Sequence, residues 1–225
     1  MFEKPDLYYK SERGEMLSLL PVNAKKILDV GCGAGAFASQ LISKDREIWG
    51  IEPDKNSALL AAESLFMVLN GKIEDVINNL PDHYFDAIYF NDVLEHLIDP
   101  WLIIKAIKPK LSEKGVLICS IPNVRYIRNL GHLLVNRDWQ YMETGIRDST
   151  HLRFFTKKSI YRLIKESGYN ITKIKGINRT KSERLHFYYF LINLLTFFMN
   201  LDIIFLQFAV VASPDRSEIT VEINK

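Results

Sequence analysis

Two kinds of apolar pattern alternate along this chain of 225 residues. Short unbroken apolar runs that stop at Gly, Asp, Asn or Pro read as buried strands, whereas stretches with apolar residues three and four apart read as helices. The runs predict strands over residues 26–30, 47–51, 66–69, 85–90, 115–121, 170–177 and 205–212. Between them the helical period predicts helices over 11–20, 36–43, 57–65, 100–108 and 157–167. Local punctuation supports these bounds. Pro21 ends the first helix, Asn70-Gly71 closes the third strand, Asp99 caps a helix with Pro100 at its first position, and Thr156 caps the last, with Gly168 at its left-handed end. Such alternation implies an α/β fold, a doubly wound, mostly parallel seven-stranded sheet with helices on both faces, turning antiparallel near the C-terminus. No internal repeat or Pro/Gly linker interrupts it, so residues 1–225 are expected to form one domain.

The pattern loosens after Pro122, and residues 137–155 mix aromatic, charged and hydroxyl side chains without a period, a composition common in functional loops. Residues 187–201 carry no charge over 15 positions, fewer than the ~20 that a spanning helix needs. That run is expected to pack against the domain as a helix. The alternative is peripheral contact with a membrane, aided by Lys173, Lys175, Arg179, Lys181 and Arg184 just before it. The polar tail, 213–225, is expected to fray or to form a surface strand.

Composition narrows the classes. Hydrophobic residues at 48% and charged residues at 25% suit a globular protein, and a net charge of +2 gives no basic face for a nucleic-acid partner. Cys32 and Cys119 lie far apart with no ligand spacing around them, which indicates neither a metal site nor a disulfide framework and fits a reducing cytoplasm. Residues 1–10 contain Glu3, Lys4, Asp6 and Lys10 and show no secretory signal.

The first strand runs into Gly31-Cys32-Gly33-Ala34-Gly35-Ala36, a strand-to-helix turn with three glycines where backbone must approach a ligand closely. The spacing of Gly31, Gly33 and Ala36 also satisfies the dinucleotide fingerprint, so a nicotinamide-dependent oxidoreductase stays open on spacing alone. Charge separates the two. A pyrophosphate would meet the Asp29 carboxylate, two residues before the first glycine, whereas the sulfonium and ammonium of S-adenosylmethionine would be drawn to it. Glu52, ending the second strand, suits the two ribose hydroxyls of either cofactor.

These residues carry a resemblance. ILDVGCGAG, then WGIEPD, then FDAIYFNDVLEHLIDP resemble class I S-adenosylmethionine-dependent methyltransferases, and Ser120 to Val124 with His151 to Thr156 are similar to bacterial members associated with glycan gene sets or of the ubiquinone type. The resemblance implies a Rossmann-like methyltransferase fold and methyl transfer to an oxygen of a small-molecule or saccharide acceptor. A non-catalytic S-adenosylmethionine-binding protein is the other outcome. It places Asp29, Gly31, Cys32, Gly33 and Gly35 around the methionine part, Glu52 with Pro53 at the ribose, and Asn91 and Asp92 on the donor side. Members often carry Asp after the glycine that ends strand three; Lys72 stands there instead, so Glu74 or Asp75 is expected to take the adenine amino group. Residues 1–20 are expected to form a lid helix bringing Tyr8, Tyr9 and Arg13 over the cofactor mouth, and 123–155 to lie on the acceptor side with Asn123 and Arg153 as acceptor contacts. His96 and His151 are the candidates for the base that takes the acceptor's proton.

Overall fold

The computed structural model describes residues 13–216. Its sheet comprises β1 (Lys26–Val30), β2 (Glu47–Glu52), β3 (Met67–Asn70), β4 (Phe85–Asn91), β5 (Leu111–Pro122), β6 (Tyr169–Arg179) and β7 (Phe205–Pro214), in the order β3-β2-β1-β4-β5-β7-β6. Strands β1 to β5 pair in parallel, and β7 runs antiparallel to both β5 and β6. The helices are α1 (Gly14–Leu17), α2 (Ala36–Ser39), α3 (Lys55–Ala62), α4 (Ile73–Val76), α5 (Pro100–Ile107), α6 (Ile127–Gly131), α7 (Lys157–Glu166) and α8 (Glu183–Leu195).

Because successive strand residues point to opposite faces, each inner strand feeds two cores. Leu28, Val30, Ile88, Phe90 and Leu117 pack under Ile104 of α5 and Ile160 and Leu163 of α7. Ile27, Ala87, Tyr89 and Ile118 pack on the other side against Met16, Phe37, Ala38 and Ala61 of α1 to α3. Burial on both faces is why these strands read as unbroken apolar runs. The caps read from sequence form: the Asp99 carboxylate accepts from Leu102 N at 3.0 Å, and Thr156 and Ser159 close a capping box.

The structure departs from the pattern in several places. β5 starts at Leu111, four residues before the expected bound, across a register shift between Phe85 and Ala87. The first helix, expected over 11–20, is one turn, and residues 1–12 with Tyr8 and Tyr9 lie outside the described residues. The single turns α4 and α6 were not expected, being too short for a helical period to show; α6 continues into a π-turn, His132–Asn136. Ser213 and Pro214 belong to β7 rather than to the tail, whose residues 217–225 lie outside the described residues. Within 187–201 the expected helix forms as α8 but ends at Leu195, and it packs through a narrow arc: Asn193 is its one buried residue, and most of its large apolar side chains are exposed. Among the described residues no helix is long and apolar enough to cross a membrane.

Candidate active site

A cleft of about 790 Å³ opens at the carboxyl ends of β1 and β4, where the strand order reverses and where doubly wound sheets hold their ligands. From β1 come Asp29, Gly31, Cys32 and Gly33, from β2 Glu52 and Pro53, from the α4 turn Lys72 and Glu74, and from β4 Asn91 and Asp92. His96, Leu97, Ile98, Thr150 and Leu152 line the cleft as well.

The turn after β1 is held open by hydrogen bonds from Gly31 N and Cys32 N to Ile51 O at 2.8 and 3.1 Å. Gly31 sits at φ 72°, and a Cβ there would meet Val93 Cγ2 at 2.7 Å, so both conformation and space demand glycine. Cys32 offers the cleft its backbone, since its thiol lies against Gly50 and burial pushes the thiol pKa up. Gly35 does not line the cleft. At φ 82° it is the left-handed N-cap of α2, and its open side faces Ala61 of α3, which corrects the contact expected of it.

Glu52 is buried, with Oε2 accepting from Gly33 N at 2.8 Å and Oε1 from Asp54 N at 2.9 Å. These two bonds fix the carboxylate at the rim and leave it further lone pairs. Asp29 is 2% exposed, and its Oδ1 has no hydrogen-bond partner. Burial, and next the nearby Glu52 carboxylate, push its pKa up to about 8; Arg13 and the Asn91 amide oppose the rise, the amide lying close without closing a hydrogen bond. A buried carboxyl group with an unfilled oxygen is a site prepared for a cation.

Asp92 adopts left-handed backbone, φ 55°. Its carboxylate accepts from Gln207 Nε2 at 2.7 Å and Ser120 Oγ at 3.1 Å and forms an ion pair with Arg13. Arg13 also donates to Ser120 Oγ at 2.7 Å and pairs with Glu15 at 3.1 Å, so its guanidinium ties the start of α1 to the ends of β4 and β5. Of the two histidines, His96 lines the main cleft, while His151 lines a smaller cavity of about 90 Å³ beside it. His96 Nδ1 lies 3.2 Å from Thr150 O and 3.1 Å from Thr150 Oγ1, and that hydroxyl donates to Asp148 Oδ1 at 2.7 Å. His151 Nδ1 faces Ile146 O at 3.0 Å, its Nε2 is 3.9 Å from Glu95 Oε1, and the two rings meet edge-on with centroids 4.6 Å apart. Although the sequence indicated no metal site, Glu95, His96 and His151 each offer a ligand atom within 4.8 Å of the others.

Two expected acceptor contacts fall elsewhere. The Asn123 amide is committed to Asp202 O and Phe205 O, both at 3.0 Å, and Arg153 donates Nε to Ile98 O at 3.1 Å; neither lines the cleft. Sequence reasoning missed Thr150 and Asp148 behind His96, and Ser120 and Gln207 behind Asp92. Gln207 left a signal, a lone amide within the apolar run 205–212.

A glycine turn flanked by the buried carboxyl groups of Asp29 and Glu52 thus lies at the switch point of a Rossmann-like sheet, where such folds hold their ligands. The methyltransferase-domain family model matches residues 8–174, and the chain belongs to that family. Ubiquinone biosynthesis O-methyltransferases are similar: one from Cereibacter sphaeroides is 25% identical over 166 residues, covering 70% of this chain, which spans 65% of that relative's length. One from Chromobacterium violaceum is 26% identical and covers 73% of each chain. Among solved structures, a SAM-dependent methyltransferase from Archaeoglobus fulgidus superposes with a TM-score of 0.67 at 16% identity, covering 92% of this chain and 93% of its own. Another, from Mesorhizobium loti, gives 0.63 at 16% identity, covering 89% and 96%.

Proposed function

We propose that this protein transfers a methyl group from S-adenosylmethionine to an oxygen of a small-molecule or glycan-like acceptor, in the cytoplasm, with residues 1–225 acting as one catalytic domain. The observation that carries the reading is the buried Asp29 carboxyl with its unfilled Oδ1 at the glycine turn. S-adenosylmethionine fits: Asp29 and the Gly31 and Gly33 backbone would hold the methionine part, and Glu52 would accept from the ribose hydroxyls. When bound, the cofactor supplies an electrophilic methyl group. A pyrophosphate would instead meet the carboxyl groups of Asp29 and Glu52. His96 stands on the acceptor wall among Leu97, Ile98 and Leu152, which suits an acceptor with an apolar body and a hydroxyl to be deprotonated. The free, buried Cys32 and Cys119 support a reducing compartment. The O-methyltransferase names of the relatives support oxygen as the target.

Glu52→Ala tests the cofactor half. It removes hydrogen bonds to a charged acceptor, each worth ~1.5 to 3 kcal/mol, so S-adenosylmethionine affinity by calorimetry is expected to fall at least about tenfold. An unchanged affinity places the ribose elsewhere.

The convergence of Glu95, His96 and His151 favours a second reading of the acceptor half, in which these residues ligate a divalent cation that polarises the acceptor oxygen. Dialysis against a strong chelator separates the two. Unchanged turnover supports His96 as the base, whereas turnover lost to the chelator and restored by one added metal supports ligation.

A further inference from the structure

We infer that α8 and the loop after it form an interfacial pad that docks the protein on an anionic membrane surface. At 3.6 residues per turn, Phe187, Tyr188, Phe190, Leu191, Leu194 and Leu195 fall within one arc of about 160°. All are exposed, Phe187 at 64% and Leu195 at 72%. The opposite arc, turned toward the protein, holds Leu185, His186, Tyr189, Ile192 and the buried Asn193. The helix is apolar on nearly every side over 187–195: its outward arc is aromatic and aliphatic throughout, and its inward arc carries the buried Asn193. Asn193 donates to Tyr189 O at 2.9 Å and accepts from Asn200 N at 3.0 Å, which folds the following loop back. At the tip of that loop Phe197 and Phe198 adopt left-handed backbone, φ 49° and 58°, and stand out with Met199 at exposures of 89%, 53% and 79%.

The pad is set firmly. Arg125 pairs with Asp202 at 3.0 Å and the Asn123 amide binds the carbonyls of Asp202 and Phe205, so the insert is bolted to the end of β5. This explains the positions of two residues that the cleft does not use. The register pairs Arg179 with Phe205 and Gln207 with Pro122, so the insert leaves the sheet at the carboxyl edge, the edge at which the cleft opens. Charge selects the occupant. Over residues 179–201 the exposed cations Arg179, Lys181 and Arg184 face one carboxylate, Glu183, and basic residues beside an apolar arc are complementary to anionic lipid rather than to a neutral protein surface. An apolar patch of this extent is also rare on a surface that meets only water.

The test is flotation of the full chain with vesicles of phosphatidylcholine alone and of phosphatidylcholine with phosphatidylglycerol, at low and high salt. The expected result is co-migration with the anionic vesicles at low salt, weakened by high salt and absent with neutral vesicles. The triple variant Phe190→Ser, Leu194→Ser, Phe197→Ser is expected to lose at least tenfold in partitioning with unchanged S-adenosylmethionine affinity and thermal midpoint, as its substitutions are all exposed. Lys181→Glu is expected to weaken binding several-fold. Failure of the wild type to float with anionic vesicles overturns the proposal, as does flotation that the triple variant retains. A dimer seen by light scattering and abolished by the same triple variant also overturns it, since the pad would then be covered by a second copy of this chain. None of these results depends on which acceptor is methylated.

Discussion

Asp29→Asn is expected to weaken S-adenosylmethionine binding by roughly 30- to 150-fold while making the unliganded protein more stable at alkaline pH. The affinity loss follows from removing a charge-assisted contact of about 2 to 3 kcal/mol to the cationic part of the ligand. The stability gain follows from the direction of the Asp29 shift. Its folded pKa is raised from 3.8 to about 8, by burial first and by the Glu52 carboxylate second. A carboxyl shifted upward favours folding fully below its unfolded pKa, and that contribution is lost as pH rises through the folded value. The wild type should therefore lose ground to Asp29→Asn between about pH 4 and about pH 8, with the difference levelling above that. Thermal melts at pH 5, 7 and 9 measure it. A variant that loses stability at pH 9 would show that Asp29 ionises freely in the folded protein. The same shift predicts that the cationic ligand, arriving at pH 7, ionises Asp29 and releases close to one proton, seen as a dependence of binding enthalpy on the buffer.

His96→Ala is expected to lower turnover by ~10² to 10⁴-fold, the contribution of a general base, with S-adenosylmethionine affinity nearly unchanged. Thr150 beside His96 on the cleft wall, with Asp148 behind it, engages Nδ1 and so orients the ring, as a positioned base requires. His151 lies in the neighbouring cavity, touching the edge of the His96 ring, and its replacement by Ala is expected to cost less, through loss of that support. Full turnover in His96→Ala with loss in His151→Ala would transfer the role to His151. Retention in both would show that holding the acceptor in line with the methyl group suffices, since positioning alone can supply ~7 to 11 kcal/mol.

What the sequence made legible is what local chemistry determines. β1 and β4 were readable as apolar runs ended by Gly31 and Asn91, and Asp29 and Glu52 stood out because carboxylates at the ends of buried strands need a reason. Gly35 misled because the spacing of a glycine turn does not say which glycine faces the ligand and which turns the chain into its helix. Asn123 and Arg153 misled because their partners, Asp202, Phe205 and Ile98, are 55 to 82 residues away in sequence. In α8 the run 187–195 is apolar on every side except Asn193, so its periodicity could not indicate which arc faces inward. The amide, chemically the natural outward residue, is the one buried.

The most direct test of the account is calorimetric titration of the full chain with S-adenosylmethionine, its demethylated product and NAD at pH 7. One-to-one binding of the first two is expected, with proton release on binding S-adenosylmethionine and no detectable heat with NAD. Tighter binding of NAD than of S-adenosylmethionine would contradict it.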